Sequence, residues 1–345
     1  MTPASSARSG DGADGLPAGA AAFRFAAEAM GTRFEAVLGD DGRGEAAARS
    51  IAEEALHGIA SLDLRLSRFR RDSLLAHLHR HAGSDPVELD AELFALFALA
   101  ESVRCASDGL FDPDVGAAME RSGFHDRSAN GARPARSSGS ALENRDVGRA
   151  PPYTLDPATR TVTLRRGASL DFGGIAKGHA LDLAAATLRE HGVRCALLHG
   201  GRSAVVTIGA PPGRTGWRIE LAPAGGSHSK ERRGASARMR SRGAALAPSD
   251  RPVASAIDLR DRALAVSTPF GRVVGGRSHI VDPRRGRPAP IALLPAQVAI
   301  AGPLCALCDA WTKPALLLGS RPSGLDAAYE CVLGWETAPA VREAL

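Results

Sequence analysis

The run Leu170-Asp171-Phe172-Gly173-Gly174-Ile175-Ala176-Lys177-Gly178 constrains this chain more than any other segment. An acidic residue and paired glycines stand directly ahead of a helical pattern that extends from Ile175 to His191, and Gly192 follows where a left-handed cap is favoured. Glycine lets a backbone approach a ligand closely, and a helix N-terminus offers unpaired N–H groups and partial positive charge. Lys177 adds a full charge at the same place. Two readings follow: an anion or phosphate cradle, or a tight turn into a helix with an exposed lysine. It is not a Walker A loop, because the Gly-Lys-Ser/Thr spacing is absent.

The surrounding pattern mixes helices and strands without regular βαβ alternation, which predicts an α+β fold. Phe23 to Leu38 alternates as a strand or hairpin around Met30-Gly31-Thr32. Glu45 to Leu66 and Asp90 to Ser107 have helical spacing, and a last helix is expected from near Leu304 to Leu318. Thr161 to Leu164, Val193 to Leu198, Trp217 to Leu221 and Ala263 to Ser267 are expected strands. Hydrophobic residues make up 44% of the 345 residues but aromatics only 4%, so the core must be built mainly from Ala, Leu and Val.

Three stretches lack a core pattern: a tail over residues 1–20, and two expected mobile insertions over about 126–152 and 224–255, rich in Ser, Gly, Arg and Pro. The remainder, 21–345, is expected to form one domain. All but three of the 43 basic residues are arginine, many within the insertions, so the net charge of +5 does not outline a nucleic-acid surface. No export signal, lipid-accepting cysteine or membrane-length apolar run is present, so a cytoplasmic protein with no integral membrane segment is expected. Cys305 and Cys308 form a lone C-x-x-C pair in an Ala/Leu-rich segment and are read as buried structural thiols.

Two further clusters carry chemistry. In Ser278-His279-Ile280-Val281-Asp282-Pro283-Arg284-Arg285-Gly286-Arg287-Pro288, a histidine and a carboxylate precede a turn dense in arginine. His279 suits general acid–base work or a phosphate contact, or it only pins the turn. In Asp309-Ala310-Trp311-Thr312-Lys313-Pro314, a helix puts Asp309 on one face with Thr312 and Lys313. Asp309 and Thr312 are hard oxygen donors suited to Mg²⁺, or Asp309 and Lys313 form an ordinary i,i+4 ion pair. Pro314 predicts a kink or an irregular turn there.

Taken in order, these clusters resemble the ApbE family of FAD:protein FMN transferases, from about Phe23 to Gly319. Ala29-Met30-Gly31-Thr32 resembles the family's N-terminal flavin motif, Asp63 to Ser73 its next segment, and Ser107 to Pro113 its Gly-x-Phe-Asp-Pro motif. Asp171 to Gly178 matches its D-x-G-G-I-A-K-G block, with Asp182 shortly after; His199-Gly200-Gly201 lies at its Gly-Gly turn. Ser278 to Pro288 resembles its S-H-I-x-D-P-x-T-G-x-P motif, and Asp309 its metal carboxylate.

The resemblance implies a T-fold-related architecture of mixed and antiparallel sheets with packed helices. It implies that Met30, Phe69, Leu110, Phe111, Asp112, Asp171, Lys177, His279 and Ile280 hold FAD. Mg²⁺ would sit on the Gly174 carbonyl, Asp309 and Thr312. Lys177, His279 and Asp282 are the catalytic candidates for moving FMN from FAD to a Ser or Thr hydroxyl of an acceptor protein, with AMP leaving. The alternatives are an FAD pyrophosphatase and a non-catalytic flavin-binding paralogue.

Four positions depart from the family pattern: Lys313 in place of a threonine, Ser267-Thr268-Pro269 for Thr-Ser-Gly, Arg202 for an aspartate and Arg285 for a threonine. Protonated lysine has no lone pair and cannot replace a metal-binding hydroxyl, so Lys313 is expected to supply part of the charge that Mg²⁺ provides elsewhere, with Thr312 as a weaker ligand.

Overall fold

The computed structural model describes residues 22–124, 150–221 and 256–334. The expected tail and nearly all of both expected insertions lie outside the described residues. Only 150–152 of the first insertion are included, and they already belong to the packed body. Pro152 is buried, and its carbonyl accepts from the Arg165 N–H at 2.8 Å.

In chain order the first elements are β1 (Ala22–Ala29), β2 (Thr32–Gly39), α1 (Gly44–Leu66), α2 (Leu74–Arg80), β3 (Val87–Glu88), α3 (Ala91–Ala106) and α4 (Gly116–Arg121). Then come β4 (Tyr153–Asp156), β5 (Thr161–Leu164), α5 (Ala176–Glu190), β6 (Ala196–Gly200), β7 (Ala204–Ile208), β8 (Trp217–Glu220) and β9 (Ala256–Leu259). Last are β10 (Ala263–Ser267), β11 (Val273–Val274), β12 (Arg277–Asp282), β13 (Arg287–Pro290), β14 (Gln297–Gly302), α6 (Cys305–Leu318) and β15 (Glu330–Gly334).

The scaffold is a seven-stranded sheet in the order β1-β2-β6-β7-β10-β14-β15, antiparallel at every pairing. Helices α1, α5 and α6 lie side by side across one face. Their apolar stripes, such as Ala52, Ala55, Ile59 and Leu62 of α1, bury Phe25, Phe34 and Leu38 of the sheet in one core. On the other face the β8–β9 hairpin covers the sheet with Trp217 and Leu259, both fully buried. The expected α+β class with antiparallel sheets and packed helices is the class found.

Small residues let the helices approach. A Cβ at Gly178 of α5 would stand 2.3 Å from the Cys305 carbonyl oxygen at the start of α6. The two helices are also joined by a borrowed cap. Leu304 offers no side-chain cap to α6, and Asp182 of α5 supplies one, accepting from the N–H groups of Cys305 (2.9 Å) and Ala306 (2.8 Å). The Cys305 and Cys308 thiols behind this cap are free and buried, as their apolar context predicts.

The β1–β2 turn has positive φ at both central residues, Met30 (50°) and Gly31 (70°), the conformation of a two-residue hairpin turn. For methionine this conformation is costly. The Asp63 carboxylate of α1 accepts the Met30 N–H at 2.8 Å and holds it there. At the other end of the chain, α6 is a continuous helix from Cys305 to Leu318 with Pro314 inside it. Side-chain donors crowd that turn: Thr312 Oγ1 (2.6 Å) and Lys313 Nζ (2.8 Å) both donate to the Asp309 carbonyl. No helix among the described residues is long and apolar enough to cross a membrane.

Candidate active site

The sequence clusters meet where the start of α5 faces the middle of α6. Lys177, in the first turn of α5, places Nζ 3.7 Å from Asp309 Oδ2 and 3.5 Å from the Gly173 carbonyl oxygen. Lys313, one turn on from Asp309, pairs with its Oδ1. Asp309 is 2% exposed, and its Oδ2 makes no hydrogen bond among the described residues. Burial pushes this carboxyl up, but Lys177 and Lys313 together outweigh it and hold the group below the ordinary carboxylate value. Burial pushes the Lys313 ammonium down, with the positive Lys177 adding to that and Asp309 opposing it.

The glycine turn sits against this cluster. A Cβ at Gly174 would be 3.4 Å from both Lys313 Cε and the ring of Phe111, so the lysine stem and the aromatic ring close over the turn. Asp171 Oδ1 accepts the Gly173 N–H at 2.8 Å, and Asp171 Oδ2 lies 3.6 Å from the buried guanidinium of Arg68. Arg68 also donates to Ser169 Oγ at 3.1 Å. Before the turn, His79 Nε2 accepts the Leu170 N–H at 2.9 Å, and burial with Arg68 nearby pushes this imidazole down to about 4. Sequence reasoning missed this support; nothing in the pattern separates Arg68 from the neighbouring Arg65, Arg70 and Arg71.

His279 and Asp282 are on β12, which pairs with β13 in the hairpin that the motif spans. Burial, then Lys313, Arg272 and Lys177 in addition, push His279 down to about 4, so it is a neutral imidazole at physiological pH. Its Nδ1 is buried with no hydrogen-bond partner among the described residues. Asp282 serves the turn that follows, accepting from the N–H groups of Arg284 (3.0 Å) and Arg285 (3.4 Å) and pairing with the Arg285 guanidinium at 3.4 Å. Arg284 then reaches across to the Asp108 carbonyl at 2.9 Å, tying this hairpin to the loop before Leu110 and Phe111.

Of the remaining candidates, Phe111 faces the same turn. Leu110 and Phe111 are buried, and Ser107 Oγ fixes the Phe111 N–H at 3.0 Å. Asp112 shapes its own loop by accepting from the Asp114 N–H at 2.8 Å. Ile280 is buried, whereas Phe69, next to Arg68, is 58% exposed. Met30 donates its N–H to Asp63 of α1, and its side chain packs against the main core.

The expected magnesium donors were the Gly174 carbonyl, Asp309 and Thr312. Thr312 is fully buried, and its hydroxyl is committed to the Asp309 carbonyl and to Ser267 Oγ at 2.7 Å. The Asp309 carboxylate stands between two ammonium groups. Mg²⁺ asks for near-octahedral oxygen donors with negative charge among them. One carboxylate already shared by two cations does not fit that demand.

The matching family model is the ApbE family, over residues 30–329. An FAD:protein FMN transferase of Rhodobacter capsulatus is 32% identical over 215 residues, covering 60% of this chain and 35% of that protein. The match thus spans about a third of that relative's length. A second FAD:protein FMN transferase, from Treponema pallidum (strain Nichols), is 27% identical over 310 residues, covering 83% of this chain and 78% of the relative. Among solved structures, the ApbE protein from Thermotoga maritima superposes with a TM-score of 0.69 at 24% identity, covering 90% of this chain and 94% of that one. Flavin transferase ApbE from Vibrio cholerae gives 0.66 at 17% identity, covering 96% and 98%. Likeness at these identities speaks for the fold.

Proposed function

The chain belongs to the ApbE family, and from that premise we propose that it transfers FMN from FAD to a Ser or Thr hydroxyl of an acceptor protein, releasing AMP. The observation that carries this reading is the 3.7 Å approach of Lys177 to Asp309, which brings the glycine turn and the α6 carboxylate into one buried centre.

The reaction is a phosphoryl transfer. The acceptor hydroxyl oxygen forms a bond to the FMN-side phosphorus, and the bond from that phosphorus to the bridging oxygen breaks. The bridging oxygen leaves with AMP. Lys177, Lys313 and the first turn of α5 supply fixed positive charge for the phosphoryl oxygens as charge develops on them. Neutral His279 is the group open to take the hydroxyl proton, through the Nδ1 that has no partner among the described residues. Asp282, three residues on in the same strand, holds the turn that follows. The Asp171–Gly174 turn and the Phe111 ring wall the site, and Met30 and Phe69 are the candidates for flavin contact. The donor set around Asp309 does not fit Mg²⁺, and the positive charge of the site comes from Lys177 and Lys313.

Incubation with FAD and candidate acceptors, followed by intact-mass spectrometry and AMP assay, tests the reading. The expected result is an acceptor that gains one FMN for each AMP released. AMP released without any acceptor would assign the chain to pyrophosphate hydrolysis instead.

A further inference from the structure

We propose that this centre holds a dinucleotide's diphosphate without a divalent cation, because Lys313 takes up the place on Asp309 that a metal would need. The proposal rests on the FAD reading above for the identity of the dinucleotide.

Four observations carry it. First, the Lys313 ammonium is in place: its Nζ pairs with Asp309 Oδ1 and donates to the Asp309 carbonyl at 2.8 Å. Its stem passes over the Gly174 turn, where an added Cβ would stand 3.4 Å from its Cε. Second, the charge count favours an anion. Two half-buried ammonium groups face one fully buried carboxylate, and the adjoining imidazole is neutral. An excess of positive charge in a partly desolvated site is relieved by an incoming anion, whereas a divalent cation would add to it.

Third, the hydroxyl one residue before Lys313 is a poor substitute ligand, since Thr312 is fully buried and held in place by the Asp309 carbonyl and Ser267. Fourth, the residue type is specific. The chain uses arginine for all but three of its basic residues, yet two of its three lysines converge on Asp309. Lysine serves as a compact point charge for phosphate, where a planar guanidinium would not fit beside a second cation in so small a space.

Three measurements on the full-length protein test this. Titration calorimetry with FAD is run in EDTA and in millimolar Mg²⁺. The wild type is expected to change affinity by less than about threefold, and a loss of about tenfold or more on chelation would overturn the proposal. The variant Lys313→Thr restores a lone-pair oxygen at that position. It is expected to lose about tenfold or more of its FAD affinity in EDTA and to regain most of it with Mg²⁺. Equal FAD affinity of variant and wild type in EDTA counts against the proposal.

Manganese EPR needs no variant: wild-type protein is expected to leave the free Mn²⁺ signal undepleted, while Lys313→Thr depletes it. Depletion by the wild type overturns the idea. The outcomes separate the two proposals. Tight FAD binding in EDTA with no FMN transfer upholds the metal-free site and removes the transferase reading. Transfer seen only with Mg²⁺ does the reverse. Absence of FAD binding under both conditions overturns both.

Discussion

Lys177 Nζ lies 3.7 Å from Asp309 Oδ2, although one residue opens α5 and the other sits mid-way along α6. The two helices can bring these groups so close because they touch through glycine at one point and share the Asp182 cap at another. Packing and chemistry are thus the same contact. Removing the cation by Lys177→Ala should lower FMN transfer by about a hundredfold to a thousandfold, the usual cost of losing a fixed donor to developing phosphoryl charge. Lys313 still neutralises Asp309, so the fold should survive; AMP release against a thermal-melt control reads both.

Gly178→Ala tests the helix crossing. In an open helix position alanine is better than glycine by about 0.5–1 kcal/mol. At Gly178 the new methyl would meet the Cys305 carbonyl oxygen at 2.3 Å and the Ala306 nitrogen at 2.7 Å, both backbone and unable to rotate away. The variant should lose about 2–3 kcal/mol in chemical denaturation. Gly58→Ala, in α1 with open space around it, should gain stability by the ordinary helix increment. Equal effects of the two substitutions would show that α5 and α6 are not in backbone contact.

The sequence patterns announce these helices but only part of what they hold. α1, α3, α5 and α6 are legible because their apolar residues recur at helical spacing; Asp90 even caps α3 by accepting the Leu93 N–H at 3.0 Å. The Asp309–Lys313 pair is legible as a spacing of four. Strand β14 is hidden because Gln297 to Gly302 leans on alanine and glycine, residues with weak strand preference that the close helices require. β13 is hidden by its two prolines. Arg68, His79 and Asp63 gain their roles only through long-range contacts to Asp171, Leu170 and Met30, which no local period encodes.

Arg68 can be displaced without touching it. A Cβ at Gly116 would fall 1.5 Å from its Nη1 and 2.4 Å from its Cζ, so Gly116→Ala must push the guanidinium off Asp171. The obstacle is the far end of a flexible side chain, so stability should change by no more than about 1 kcal/mol. FAD affinity or transfer rate should fall by about tenfold as the Asp171–Gly174 turn loses its brace. Arg68→Lys should show a similar loss, since an ammonium cannot serve Ser169 and Asp171 together as the guanidinium does. Full activity in both variants would remove Arg68 from the positioning of the turn.

Stability against pH should show two opposed contributions. His279 and His79 are pushed from 6.5 to about 4, and His179 is lowered in the same way by burial. These imidazoles are neutral when folded and take up a proton on unfolding, so their stabilising share is full above pH 6.5 and is lost as pH falls towards 4. Asp182 runs the other way. Burial raises it from 3.8 to about 6, against the two backbone N–H groups it accepts, so its share is full below 3.8 and is lost as pH rises through 6. Two or more histidines outweigh one aspartate, and the unfolding free energy should climb by about 1 kcal/mol per pH unit between these limits. Asp182→Asn removes the opposing group and should steepen the climb to about 2 kcal/mol per unit, even as the weakened α6 cap lowers stability throughout. Urea denaturation of both proteins from pH 4 to 6.5 measures the two slopes, and parallel curves would show that Asp182 does not hold a proton in the folded state.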